Sequence, residues 1–305
     1  MWGLMRANSS AWLQRHLCVL LWGFTAILGR LITLPVLALV LWRMFLVTCA
    51  LLLLPKVWRA LRRLSGRHLL AIIGVGVVVA LHWLGFYAAV KLSNASVAAT
   101  CMALIPIFLC VIEPLVTGRP FQPRELLFGL LVLPGIMLVV GGTPSDMNAG
   151  IVCGVLAALM AAVFGAFNKR LIMRTDALTM TALEMGSGFL FLLVLALLGM
   201  QFASPDATWL VPEQLLEWPS AADSGYMLIL AFACTLLPFA LSLHALRHLS
   251  AYATALAVNL EPVYAIILAI LLLDEQQQLT ATFYAGAALL VAVVFFYSRT
   301  EAQKG

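Results

Sequence analysis

Charge is scarce in this chain. Only about one residue in ten is Asp, Glu, Lys or Arg, against about a quarter in soluble domains. That shortage excludes an ordinary soluble domain, which needs a charged shell around its apolar core. Long polar stretches are missing as well. So is the ~10-residue alternation of apolar and polar positions that marks a membrane β-barrel. No Walker-type glycine loop occurs, so ATP does not drive the chain directly. Cysteine is limited to Cys18, Cys49, Cys101, Cys110, Cys153 and Cys234, all within apolar stretches and with no CxxC pair. This usage reads as small core residues and implies neither a disulfide nor a metal site. No cofactor is implied. The first apolar block lacks a small-x-small cleavage site, so it reads as a retained helix.

What the chain has is apolar residues, 64% of the total, gathered in about ten blocks. They cover 14–32, 36–54, 68–90, 96–116, 125–142, 149–172, 177–200, 224–246, 252–273 and 281–297. A helix rises ~1.5 Å per residue, so ~20 apolar residues cross a ~30 Å hydrocarbon core. The expected fold is therefore all-α, a polytopic transmembrane helical bundle of ten helices. With the N-terminus inside, 15 of the 18 Lys and Arg fall on the cytoplasmic side. The positive-inside rule then predicts both termini in the cytoplasm and a multi-pass protein of an inner (cytoplasmic) membrane. The basic balance is explained by this distribution, and no nucleic-acid partner is implied. The segment 201–223 carries Asp206, Glu213, Glu217 and Asp223 with no Lys or Arg, and Trp209 and Trp218 in it read as interfacial anchors.

The chain also resembles itself. Residues 24–32 align with 164–172, matching Phe24/Phe164, Arg30/Arg170 and Ile32/Ile172. Residues 91–106 align with 247–262, matching Ala95/Ala251, Leu104/Leu260 and Pro106/Pro262, and Gly129 and Gly286 begin comparable segments. Two repeats are expected, 14–142 and 149–298. Five helices is an odd number, so the second repeat enters the membrane inverted. Inverted repeats place a binding site near the midplane between the halves.

Polar groups inside the blocks are the candidate site. Glu261 sits near mid-depth, where a carboxylate is costly unless it faces protein or water. It is followed by Pro262, which cannot donate its backbone hydrogen bond. A structural or gating role and a substrate or proton role both fit it. Arg43 is the one cation deep in a block, and pairing with Glu261 or Glu184 is the expected arrangement, with a substrate carboxylate as the alternative. Glu184 reads equally as facing a cytoplasmic vestibule or the binding site, and Glu113 as interfacial. His82 can donate and accept hydrogen bonds. With Trp22, Trp83 and Tyr87 it can line an aromatic cavity for a flat, partly apolar solute. His244, Asn259 and Tyr264 complete the candidate set of substrate-binding or gating residues.

Several motifs resemble a known family. Asn259-Leu-Glu-Pro-Val-Tyr264, followed by Asp274-Glu275 at the end of the same block, is similar to the ninth helix of EamA-type permeases in the drug/metabolite transporter superfamily. Leu21-Trp-Gly-Phe24 and Leu41-Trp-Arg-Met-Phe45 resemble elements of that family's first and second helices. One departure stands out: where the family usually ends its fourth helix with Gly-Glu, this chain has Gly118-Arg119, and a glutamate comes earlier, at Glu113-Pro114. The resemblance implies a secondary transporter or exporter of small metabolites, amino acids or related amphipathic solutes among them, working by alternating access. The implied partners are a small-molecule substrate and the lipid bilayer, with proton coupling and a monomeric state left open. The competing readings are a polytopic membrane enzyme using His82 and Glu261 as an acid/base pair, and a passive channel. No nucleophile motif, metal-ligand run or filter segment supports either, and the chain is not expected to be an enzyme.

Overall fold

Backbone polar groups have no water to bond in hydrocarbon, so a chain this apolar satisfies them within helices. Every regular element among the described residues is helical. The computed structural model describes residues 2–202, 217–247 and 260–302, with side chains for 17–199, 217–247, 260–293 and 296. The helices are α1 (Trp2–Leu31), α2 (Val36–Leu52), α3 (Pro55–Leu61), α4 (Gly66–Leu92), α5 (Ala95–Cys101), α6 (Ile105–Thr117) and α7 (Pro123–Gly141). They continue as α8 (Asn148–Leu171), α9 (Ala177–Phe202), α10 (Ala221–Leu228), α11 (Leu237–Ala245), α12 (Glu261–Leu273) and α13 (Ala281–Ala302). A 3-10 turn, Met102–Leu104, joins α5 to α6, and a π-helical stretch, Ile229–Leu236, joins α10 to α11.

Among the described residues six spans are long and apolar enough to cross a membrane, and seven if the bent pair α2–α3 is one span. The protein is therefore a multi-pass membrane protein. The α2–α3 bend is 90°, and Pro55, which has no N–H to lose, opens α3. The sequence blocks do not anticipate this short helix laid across the end of α2.

Two elements 156 residues apart have the same form. α6 and α12 are each 13 residues long. Leu104 precedes α6 at φ −77°, ψ −15°, and Leu260 precedes α12 at φ −81°, ψ −13°. Pro106 and Pro262 follow in the first turn, where a proline forfeits no intrahelical bond. Both helices stop on a left-handed residue, Gly118 at φ 74° and Asp274 at φ 53°. Glycine and Asp tolerate that conformation where most side chains do not. Pro262 lies in the first turn of α12, and the residues before Leu260 lie outside the described residues.

Packing follows the small residues. α4 lies along α8 and α9, α1 along α11 and α12, and α7 along α13. In the last pair Gly135 meets Gly286, and a methyl on Gly286 would sit 2.6 Å from the Gly135 carbonyl oxygen. Without a hydrophobic drive between helices in lipid, such close backbone approach is a main source of cohesion.

The two ends of the bundle are held by different chemistry. At the end where α5 begins, Glu275 accepts from Ala95 N (2.9 Å), Ser96 N (3.0 Å) and Ser96 Oγ (2.6 Å). A carboxylate here satisfies amides that have no partner within the helix and complements the helix dipole. Asn94 donates to Gln278 at 3.2 Å. At the same end Asp223 accepts from Thr33 N (2.8 Å) and Oγ1 (2.6 Å), and Lys91 donates to the Ile32 carbonyl. At the opposite end Arg119 donates to Glu113 (3.3 Å) and Glu125 (2.5 Å). Glu113 is 1% exposed, so at this end of the bundle it is a buried ion-pair partner of Arg119. Burial lowers the Arg119 pKa, but its bond to Glu125 and the two carboxylates more than offset this and hold it above the ordinary arginine value. That is the structural account of the Gly118-Arg119 departure: the arginine in the place of glutamate gathers two acids from its own half.

Candidate functional site

Three chain segments bring polar groups to the middle of the bundle. α2 carries Arg43, α4 carries His82 and Trp83, and α12 opens on Glu261. With Trp22 and Thr25 of α1, these residues line one cavity of about 120 Å³. The remaining wall is mostly apolar and includes Phe86, Phe164 and Phe239, with Asn168 and Ser242 as its further polar groups.

Arg43 is fixed by neutral partners. It is 2% exposed. Its Nε donates to Thr235 Oγ1 (2.5 Å), one Nη to Tyr87 Oη (2.7 Å) and the other to the Cys234 carbonyl (3.3 Å). Its Cζ lies 3.8 Å from the centre of the Trp83 ring, an arrangement that stabilises a desolvated cation. Among the described residues no carboxylate comes within the 4.0 Å that defines an ion pair with it. The expected pairing with Glu261 or Glu184 is thus replaced by two hydroxyls, a carbonyl and an aromatic face.

The carbonyl is available for a reason visible in the chain. Pro238 has no N–H, so the Cys234 carbonyl one turn earlier has no donor from it. The local π winding continues the adjustment: Thr235 Oγ1 donates to Leu230 O at 2.6 Å while accepting from Arg43. π segments of this kind recur at functional positions.

His82 Nδ1 bonds the Ala157 carbonyl at 2.8 Å. A carbonyl only accepts, so Nδ1 carries the proton, and in the neutral ring Nε2 is the acceptor. His82 stands edge-on to Phe164 at 5.3 Å, and Trp83 edge-on to Phe239 at 6.3 Å. The cavity thus has aromatic walls, a fixed cation, an imidazole and a carboxyl.

Of the residues singled out from sequence, Trp22, Arg43, His82, Trp83 and Glu261 come together at this cavity. Tyr87 stands behind it, fully buried, as the partner of Arg43. Glu184 also lies behind it, fully buried against Asn168. Tyr264 packs instead beside Gly23, where a methyl would meet its Cβ at 3.0 Å. His244 is exposed at the end of α11 and does not reach the cavity. Asn259, together with Asp206, Trp209 and Glu213, lies outside the described residues. The sequence reading did not single out Thr235, Asn168, Phe164 or Phe239. Pro238 is a signal in the sequence that could have marked the freed carbonyl, and nothing comparable marks the other residues.

A bundle of membrane-spanning helices around a partly polar cavity fits a membrane transport protein. The comparisons agree. The model of the EamA-like transporter family matches residues 13–141 and again 148–299. The chain belongs to that family. No curated protein matches it. One solved structure, described only as the crystal structure of a protein, shares the fold with a TM-score of 0.63 at 16% identity, covering 94% of this chain and 96% of the other.

Proposed function

We propose that the protein is a secondary transporter that moves small metabolites, amino acids or related amphipathic solutes among them, across an inner membrane by alternating access. The observation that carries this reading is the cavity itself. A guanidinium and a carboxyl, Arg43 and Glu261, border one partly open cavity with aromatic walls. A solute with its own carboxylate, amine and flat apolar part fits such a lining.

The topology in this reading is ten helices in two inverted five-helix repeats, 14–142 and 149–298, with both termini cytoplasmic. The matched forms of α6 and α12 support it. So does the count of apolar helices once the shorter Leu17–Leu31, Glu261–Leu273 and Ala281–Val293 join the longer spans. In this orientation the Glu275 contacts close the outer side, and the Arg119 clamp lies at the cytoplasmic side. Reporter fusions should find the loop around Ser65 inside and that around Pro212 outside; both on one face would end the inverted arrangement.

The deciding experiment is uptake and efflux by the purified protein in vesicles against a metabolite panel, with and without a pH gradient. Saturable counterflow of at least one solute is the expected result. Flux that rises linearly with concentration and shows no counterflow would replace the carrier reading with a channel. Stoichiometric conversion of a solute would replace it with an enzyme.

A further inference from the structure

A second cleft lies apart from the central cavity, between α3 and the α8–α9 connection. Its volume is about 470 Å³. Lys56 and Arg59 of α3, Arg63 just beyond it, and Arg174 after α8 line it, together with Asp176. The one carboxylate is already engaged, because Asp176 accepts from Thr179 N (3.2 Å) and Thr179 Oγ1 (2.6 Å) at the start of α9. Arg174 is held in place by donating to His68 Nε2 at 3.0 Å, and His68 Nδ1 is in turn bonded to Ser65 Oγ at 2.7 Å. Four cations therefore converge on a concave surface with a single, occupied counter-charge. Such a field favours an anion.

The surroundings identify which anion. α3 lies at 90° to α2, across the end of a helix in the membrane. Trp58 on α3 is 49% exposed and Leu53 beside it 81%, and Met173 next to Arg174 is 65% exposed. Tryptophan at such a position sits at headgroup level. A free phosphate needs the cations but has no use for exposed apolar side chains next to Arg59 and Arg174 in the chain. We infer that this cleft binds the phosphate of an anionic phospholipid, whose acyl chains cover Leu53, Trp58 and Met173. Basic pockets between membrane helices hold acidic headgroups in this way. A general surplus of cytoplasmic charge accounts for how many cations there are. It does not account for their convergence, since Arg62 in the same run does not line the cleft.

Native mass spectrometry of the full chain, released from neutral detergent with phosphatidylglycerol or phosphatidylcholine, tests this. The wild type should retain phosphatidylglycerol over phosphatidylcholine by about tenfold or more. Arg59→Gln, Arg63→Gln and Arg174→Gln should each lower that retention roughly fivefold. Arg62→Gln, an equal loss of charge outside the cleft, should lower it by less than about twofold, and millimolar inorganic phosphate should leave the lipid bound. Equal retention of the two lipids would overturn the inference. So would an Arg62→Gln loss as large as that of Arg63→Gln, which would mean diffuse attraction. Displacement of the lipid by inorganic phosphate would make the cleft a free-phosphate site instead. The three cleft substitutions lie at exposed positions on separate elements, so misfolding of one variant leaves the other two as tests.

Discussion

Asn168 and Glu184 connect the wall of the central cavity to a carboxyl hidden behind it. In the amide orientation that satisfies both partners, Asn168 donates to Glu184 Oε1 at 2.8 Å and to the Phe164 carbonyl at 3.3 Å. Glu184 is fully buried, and its Oε2 has no hydrogen-bond partner among the described residues. Gly76 is what lets α4 rest directly on the backbone at Glu184. An ionised carboxylate with one donor and no cation is expensive at this depth, whereas a protonated one is tolerable.

Glu184→Gln should therefore leave folding intact, with a melting temperature equal to or above that of the wild type in the same lipid. Asn168→Leu removes the one donor and should cost about 1–3 kcal/mol. Thermal melts of both variants check this. The opposite order would mean that Glu184 is ionised and stabilised by its surroundings.

The Arg119 clamp gives a second test. Glu113 and Glu125 are buried and share one guanidinium. Arg119→Gln strands both and should cost about 1.5–3 kcal/mol. Arg119→Glu, which restores the acidic residue usual in the family, should be worse than Gln because it gathers three carboxylates. Since the pairing holds Arg119 above its ordinary pKa, its contribution is complete below the ordinary arginine range. It is lost only as pH rises through the higher folded value, so the wild-type melt should show no loss from this clamp between neutral and mildly alkaline pH. Guanidinium titration is thereby removed as a cause of any pH effect seen there.

The six or seven spans among the described residues were legible because continuous apolar runs have few other uses. The matched starts of α6 and α12 were legible as Pro106 and Pro262. Rotation of each helix about its axis was not. In a soluble helix the polar side reveals which face points inward; here both faces are apolar, so nothing in the sequence separates Tyr264, which packs by α1, from Trp22, which lines the cavity. Arg43 misled for a different reason. Few intramembrane anions exist, which favoured a carboxylate partner, but the π stretch supplies Thr235 and a free Cys234 carbonyl from 191 and 192 residues away. Asn168, next to Lys169 and Arg170, looks like the polar end of a helix and not part of a cavity wall.

Closure at the α5 end depends on Glu275. Its carboxylate takes both the Ala95 and Ser96 amides. Glu275→Ala leaves them unpaired, and amide exchange at Ala95–Val97 should accelerate about tenfold, equivalent to ~1.4 kcal/mol of lost protection. Hydrogen-exchange mass spectrometry in vesicles measures it. Unchanged exchange there would show that packing by α12 alone holds this end.

Arg43 should behave as a positioned cation and not as half of an ion pair. Tyr87→Phe and Thr235→Val each remove one neutral partner and should cost about 1–3 kcal/mol, because the guanidinium loses a charge-assisted bond. Arg43→Lys keeps the charge but cannot reach all three acceptors or stack flat on Trp83, so it should lose more stability than either. A lysine variant as stable as the wild type would point to charge alone as the requirement.

Glu261 is the one carboxylate among the described residues that line the central cavity. It is 5% exposed and borders the cavity. Glu261→Gln keeps size and hydrogen bonding while deleting the titratable proton. The variant should insert and melt like the wild type, since a neutral amide is cheaper to bury than a charge. If protons drive the cycle through Glu261, gradient-driven accumulation of a solute from the panel should fall by at least about tenfold, while counterflow of the same solute persists. The measurement is vesicle transport across a pH series for both proteins. The wild-type profile should show a titration that the Gln variant lacks. Equal accumulation with superimposable profiles would assign Glu261 to gating or to holding the opening turn of α12. Loss of both accumulation and counterflow in a well-folded variant would place its carboxylate on the solute itself.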